Sequence, residues 1–240
     1  MSLDQLLALL APPACAACGA PLGPATALVC PACLRGLRWL GGDGCRRCGL
    51  PTHGGRRCPA ARAAFDTAWA PLAYESTARE LVRALKFRGA LPLAGLMAAQ
   101  VTVNAPAWAL GEATAVVPVP AASARRRRRG FDPAELLGRE VAVRLGLPVH
   151  CGLRRDGPAA RQLGARRAER RTEGRIRVVA TSAAPEHLLL VDDVHTTGAT
   201  LGACAKALRT AGARRIHAVT HVRALCRGVA RLLPRRRSRP

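Results

Sequence analysis

The apolar residues of this chain fall into short runs and helical stripes that together predict an alternating α/β order. His187-Leu188-Leu189-Leu190 is a continuous apolar run of the kind buried on both faces of a parallel sheet. Leu201 to Gly212 reads as a helix with Leu201, Ala205 and Leu208 on one face. Upstream, Phe65 to Ala73 carries Phe65, Ala68, Trp69 and Leu72 and reads as a strand. Thr77-Ala-Arg-Glu80 has the form of a capping box. It opens a helix through Leu81, Val82 and Leu85 that ends near Gly89. Ala113 to Pro120 (ATAVVPVP) reads as a strand closed by a turn that Pro120 restricts. A helix through Leu136, Leu137, Val141, Val143 and Leu145 follows. Further strands are expected around Pro148-Val149-His150, Ile176-Arg177-Val178-Val179 and Arg215 to Val222. This order predicts an α/β fold: a mainly parallel sheet with helices on both faces, and a ligand beyond the carboxyl ends of the strands.

Charge narrows the partners. The net charge is +23 over 240 residues, carried almost wholly by arginine, since Lys86 and Lys206 are the only lysines. Such an excess favours polyanions: phosphorylated small molecules, nucleic acid or anionic membrane. Three Phe, three Trp and one Tyr leave few platforms for base stacking, so contact with phosphate is expected rather than sequence reading. Arg227 to Pro240 holds six arginines in fourteen residues and reads as an anion-binding tail. No stretch approaches the length of a membrane span. Ser2 to Ala11 is apolar but short, carries Asp4 and lacks a basic start, so an amphipathic helix is expected there and not a signal peptide. A cytoplasmic location and reduced cysteines follow.

Seven of the ten cysteines lie between Cys15 and Cys58. Cys15-Ala-Ala-Cys18 and Cys30-Pro-Ala-Cys33, eleven residues apart, have the spacing of two turns that hold one tetrahedral zinc. Cys45-Arg-Arg-Cys48 and Cys58 offer a possible second site, but Ala61 stands where a fourth cysteine would fall. His53 completes that set, or the half-site is empty, or the knuckles pair differently. Four thiolates leave no open coordination position, so the role expected for zinc is structural. Cys151, Cys204 and Cys226 read as small buried hydrophobes.

The densest chemistry is Val191-Asp192-Asp193-Val194-His195-Thr196-Thr197-Gly198-Ala199-Thr200, between the apolar run and the helix. Thr196, Thr197 and Thr200 offer hydroxyls, Gly198 and Ala199 open the backbone N–H groups, and the helix start adds partial positive charge. A phosphate is the natural occupant. Asp192 and Asp193 cannot face that phosphate, but they suit ribose hydroxyls or a magnesium ion held by the ligand. Among Arg125 to Arg129, Arg129 is expected at the site and the others towards solvent or nucleic acid. Lys86 and Arg88 either face a phosphate or sit as cations at a helix C-terminus. Residues 158–175, long and basic, read either as a lid over the site or as a mobile surface hairpin or short helix.

The loop resembles the PRPP loop of type I phosphoribosyltransferases. The resemblance implies that Asp192 and Asp193 bind the ribose 2′- and 3′-hydroxyls, that Thr196 to Thr200 wrap the 5′-phosphate, and that the turn at Val119-Pro120 holds pyrophosphate. The knuckles, Leu85-Lys86-Phe87-Arg88-Gly89, Val117-Pro118-Val119-Pro120, Arg129-Gly130-Phe131-Asp132, Gln162 with Arg166-Arg167-Ala168-Glu169-Arg170, and this loop occur in the order seen in ComF-family proteins. That resemblance implies an N-terminal helix and zinc-ribbon head over 1–62, a connecting helical region over 63–112, a phosphoribosyltransferase domain over 113–226 and a basic tail over 227–240. It also implies PRPP with magnesium as ligand, single-stranded DNA and a DNA-uptake helicase as partners, and a part in natural transformation. The chemistry would be displacement at the ribose anomeric carbon, with Asp192, Asp193 and Arg129 as candidate catalytic residues. Thr196 sits where purine salvage enzymes of this fold place an Asp, which leaves His195 as the remaining candidate base. Ala61 in place of a cysteine, Asp132-Pro133 in place of Asn-Gln, and Thr172-Glu173 where an Asn is usual depart from the family pattern.

Overall fold

The computed structural model describes residues 13–23, 27–156, 176–225 and 229–230. The expected N-terminal helix, the basic segment 158–175, Cys226 and nearly all of the tail lie outside the described residues. A single parallel sheet organises the rest. Its strands are β1 (Thr67–Trp69), β2 (Leu72–Ala73), β3 (Ala115–Pro118), β6 (His187–His195) and β7 (Arg215–Arg223). Their order is β1, β7, β6, β3, with β2 also on β7, and every pairing is parallel. A separate antiparallel pair joins β4 (Leu153–Asp156) to β5 (Arg177–Ala180). The expected strand at Pro148-Val149-His150 is reduced to one parallel bridge, Val116 to Val149. Pro148 has no N–H to extend a ladder.

Strand alternation divides the core between the two faces. Leu189 and Val191 pack with α2 (Ser76–Arg88), α3 (Leu93–Asn104) and α6 (Pro133–Leu145). Leu188 and Leu190 pack with α7 (Ala199–Thr210), where Leu201, Cys204, Ala205 and Leu208 form the buried stripe. The two cysteine ribbons follow the same division. Cys15, Leu22 and Val29 join the first face, and Cys48, Leu50 and Ala60 join the second. The head therefore grips both sides of the sheet's β1–β7 edge.

Two local expectations are corrected. Thr77 does not cap α2: the helix begins at Ser76, with Glu75 at the N-cap position and no side-chain cap bond. Glu75 is instead held by Arg38 at 2.9 Å. Val143 is 80% exposed, because the buried stripe of α6 runs through Ala134, Leu137, Gly138, Val141 and Ala142, and position 143 falls on the opposite side.

Candidate functional site

The loop after β6 opens onto a cleft of about 320 Å³ at the carboxyl ends of β3 and β6. Alternation at the end of β6 sends its two carboxylates to different sides. Asp193 turns towards α2, where Lys86 meets it at 2.6 Å, while Asp192 turns towards α7, where burial above all, and Asp192 after it, push the Cys204 thiol up. Both carboxylates line the cleft. Burial and the neighbouring Asp193 push the Asp192 carboxyl well above the ordinary range, although Asp192 Oδ1 accepts a bond from the Asp193 N–H at 2.8 Å. The two candidates therefore differ: Asp193 is in contact with Lys86, and Asp192 is an acid whose burial disfavours its charge.

The opposite wall comes from the turn after β3. Val119 and Pro120 line it, and buried Asp132 fixes it by accepting from the Ala121 N–H at 2.7 Å and the Ala134 N–H at 3.1 Å. Asp132 is thereby the N-cap of α6, with Pro133 at its first position, which is the structural use of the unusual Asp-Pro pair. Of the five consecutive arginines in and around α5 (Ser123–Arg129), Arg125 and Arg129 line the cleft. The Arg129 guanidinium carbon lies 5.0 Å from the centre of the Phe87 ring, a cation–π contact that holds the side chain in place. Arg155 of β4 enters from the antiparallel pair and reaches Thr200 Oγ1 at 3.4 Å. The Nε donors of Arg129 and Arg155 are buried, and neither has an acceptor among the described residues. Buried donors of this kind call for an acceptor from a ligand, an ion or a water.

Within the loop, Thr196 and Thr200 face the cleft. Thr197 accepts from the Ala199 N–H at 3.3 Å. Gly198 caps α7 at φ +82°, and a Cβ there would fall 2.9 Å from His195 Nε2. Glycine is required both by the backbone and by this approach. His195 itself does not line the cleft. It is 2% exposed under the loop, edge-on to Phe65 with ring centres 6.2 Å apart. Burial and nearby Arg223 lower its pKa to about 3, so it is a neutral packing group and a poor proton acceptor there. Two readings were open for Lys86 and Arg88, facing a phosphate or sitting as cations at a helix C-terminus, and Lys86 reaches the cleft. Arg88 instead donates to the Ala16 carbonyl in the first ribbon at 2.5 Å. Arg125 and Arg155 were not singled out as site residues by sequence reasoning, since no local pattern distinguishes them from the other arginines.

Both cysteine clusters have the geometry of metal sites. The thiols of Cys15, Cys18, Cys30 and Cys33 converge, as do the donor atoms of Cys45, Cys48, His53 and Cys58, each set within 4.8 Å. The Cys18–Cys30 and Cys45–Cys58 sulfur separations are both 3.8 Å. That matches the edge of a tetrahedron built on zinc–sulfur bonds of about 2.3 Å. His53 Nε2 lies 3.2 Å from Cys48 Sγ, so this histidine supplies the donor that Ala61 does not. Gly49 closes the second knuckle at φ +68°, its N–H donating to the Cys45 carbonyl at 2.8 Å. The donor sets suit structural zinc, with no open position.

Arg223, 3% exposed at the end of β7, fastens this second ribbon to the loop. Its Nε donates to the Cys48 carbonyl at 3.0 Å, and one Nη donates to the His195 carbonyl at 2.9 Å and the Thr196 carbonyl at 2.5 Å.

Residues 6–62 match the family model of the double zinc ribbon domain. No curated protein gives a match. Among solved structures, the chain is similar to the glutamine PRPP amidotransferase of B. subtilis complexed with ADP and GMP, at 23% identity over 54% of this chain and 25% of that one, TM-score 0.36. It is also similar to an allosteric regulatory enzyme of purine biosynthesis, at 26% identity over 54% and 25% of the two chains, TM-score 0.34. A third is adenine phosphoribosyltransferase from Leishmania tarentolae, at 15% identity over 79% and 71%, TM-score 0.34. The match thus spans about a quarter of the length of the first two.

Proposed function

We propose that the cleft binds PRPP with magnesium, and that the chain is a phosphoribosyltransferase-like protein of the ComF kind. The observation that carries this reading is the pair of buried arginine Nε donors without an acceptor, beside two adjacent carboxylates at the ends of parallel strands. The loop hydroxyls and the N-terminus of α7 suit the 5′-phosphate. Asp192 and Asp193 suit the ribose hydroxyls, and the Val119–Pro120 turn, Arg129 and Lys86 suit the pyrophosphate. Magnesium would travel with the ligand and neutralise part of its charge. In displacement at the anomeric carbon, positive charge develops on the sugar and negative charge on the leaving pyrophosphate. Asp192 and Asp193 position the sugar, and the arginines stabilise the leaving group.

The ComF resemblance and the +23 charge support a setting in the cytoplasm alongside single-stranded DNA and a DNA-uptake helicase. A second reading, a PRPP- or nucleotide-sensing accessory with little turnover, is favoured by the burial of His195, which leaves the loop without an imidazole base. Pyrophosphate release that depends on an added acceptor identifies the enzyme. Tight DNA binding without turnover identifies the accessory.

The reading is tested by calorimetric titration of PRPP with magnesium into the zinc-loaded protein. Saturable binding that weakens at least tenfold in Asp193→Asn is expected. No heat of binding in a protein shown to be folded would overturn it.

A further inference from the structure

The second ribbon reaches the phosphate-type loop by two routes, and both start inside its first knuckle. Arg47, between the donors Cys45 and Cys48, spreads its guanidinium over four backbone carbonyls. Its Nε donates to Ala60 at 3.2 Å, one Nη to Phe65 at 2.5 Å and Asp66 at 2.9 Å, and the other Nη to Ala63 at 2.6 Å. Phe65 is thereby held through its backbone, and its buried ring lies edge-on to His195 in the loop. The His195 ring stands where a Cβ at Gly198 would fall, so it packs directly under the turn that starts α7. The second route is shorter. The carbonyls of Cys48, His195 and Thr196 all accept from the guanidinium of Arg223. The first ribbon is fastened elsewhere: its Ala16 carbonyl accepts from Arg88 on α2.

Both routes depend on the shape of the knuckle. Its carbonyls meet Arg223 only while the turn at Cys45–Cys48 is formed, and three thiols and an imidazole crowded within 4.8 Å favour that turn with a cation between them. The ribbon has little core of its own to hold the turn otherwise. A phosphate on the loop needs Thr196, Thr200 and the N–H groups of α7 in their present places. Resting on the PRPP reading of the cleft, we propose that Arg47 and Arg223 are positioning residues that link the second ribbon to the loop, so that a metal in the Cys45–Cys48–His53–Cys58 set and a phosphate ligand in the cleft each raise the other's affinity. The effect is reciprocal because linked equilibria must be. A loop held by ligand keeps the partners of Arg223 and Phe65 in place, and the knuckle is then already shaped for its metal.

Cobalt(II) in place of zinc reports the two ribbons separately, because a set of four thiolates and a set of three thiolates with an imidazole absorb at different wavelengths. The cobalt affinity of each site is measured in the full chain by competition with a pyridyl chelator that does not take magnesium, with and without saturating PRPP and magnesium. With ligand bound, the second ribbon should hold cobalt about fivefold more tightly or better, while the first changes by less than about twofold. Arg47→Lys and Arg223→Lys each keep a cation and lose the planar fork, and each should reduce the gain below about twofold at PRPP concentrations that saturate the variant. An equal gain in both ribbons, no gain in the second, or a gain that survives both lysine variants would overturn the proposal. The two readings fail separately. Absence of PRPP binding by calorimetry sinks the cleft assignment and the linkage with it. PRPP binding without a gain in the second ribbon sinks the linkage alone.

Discussion

Asp192 is costly to the folded protein in the absence of ligand. Its raised pKa means that the folded state binds this proton more tightly than the unfolded chain does. An acid shifted in that direction favours folding at low pH, and the benefit fades as pH rises through the unfolded pKa towards the folded one. Asp192→Asn removes the charge and retains an oxygen for the Asp193 N–H. Above pH 6 that variant should melt higher than the parent, by about 2–4 °C for each kcal/mol recovered. The gap should close below pH 4. Thermal melts across pH 4 to 8 measure it directly, and a gap that widens on acidification would contradict the assigned cause. The same variant should lose PRPP affinity, so stability and binding move in opposite directions at one residue. Lys86 reports the other half of the pair. Lys86→Met leaves Asp193, only 6% exposed in its side chain, without its ion-pair partner. It should lower stability by about 3 kcal/mol, read by denaturant unfolding, and a loss under 1 kcal/mol would mean that solvent already screens the pair.

Elements of the sheet were legible where periodicity alone decides them. The run at Leu188–Leu190, the stripe at Leu201, Ala205 and Leu208, and the phosphate-type loop between them are contiguous in sequence, and each appears where its pattern places it. What could not be read was how distant elements meet. Lys86 and Asp193 are separated by 107 residues, and Arg155 reaches the loop from a short strand whose own sequence carries no binding signal. The surroundings of His195 beneath the loop were hidden for a related reason: its ring packs edge-on against Phe65, which is remote in sequence. Arg223 is the clearest case of such long-range fastening, since its partners Cys48 and Thr196 belong to the ribbon and to the loop. A lysine keeps the charge but not the planar fork that serves several carbonyls at once. Arg223→Lys should therefore cost about 2–4 kcal/mol in denaturant unfolding of the zinc-loaded protein. A cost below 0.5 kcal/mol, about the ordinary effect of a surface substitution, would show that ribbon and loop are held together by packing alone.

At the scale of the whole molecule, the distribution of charge argues for a division of labour. The cleft arginines are few and held in place: Arg129 by Phe87, and Arg155 by Thr200. Most of the +23 charge lies elsewhere, including five arginines in Arg231 to Pro240 alone. Small-ligand binding and polyanion binding should therefore separate when the chain is shortened. Deleting 231–240 spares Ala230, whose carbonyl accepts from Arg38 at 3.0 Å. The truncated protein should keep its PRPP affinity. Its affinity for a single-stranded oligonucleotide should fall, and fall less steeply with added salt. Each phosphate contact on a single strand contributes about 0.7 to the slope of log affinity against log salt, so losing five arginines lowers the slope by up to about 3.5. Fluorescence anisotropy across a salt series measures both quantities. An unchanged slope would show that the folded surface, and not the tail, neutralises the phosphates. In that case the arginines of the ribbons and of α5 become the surface to mutate next.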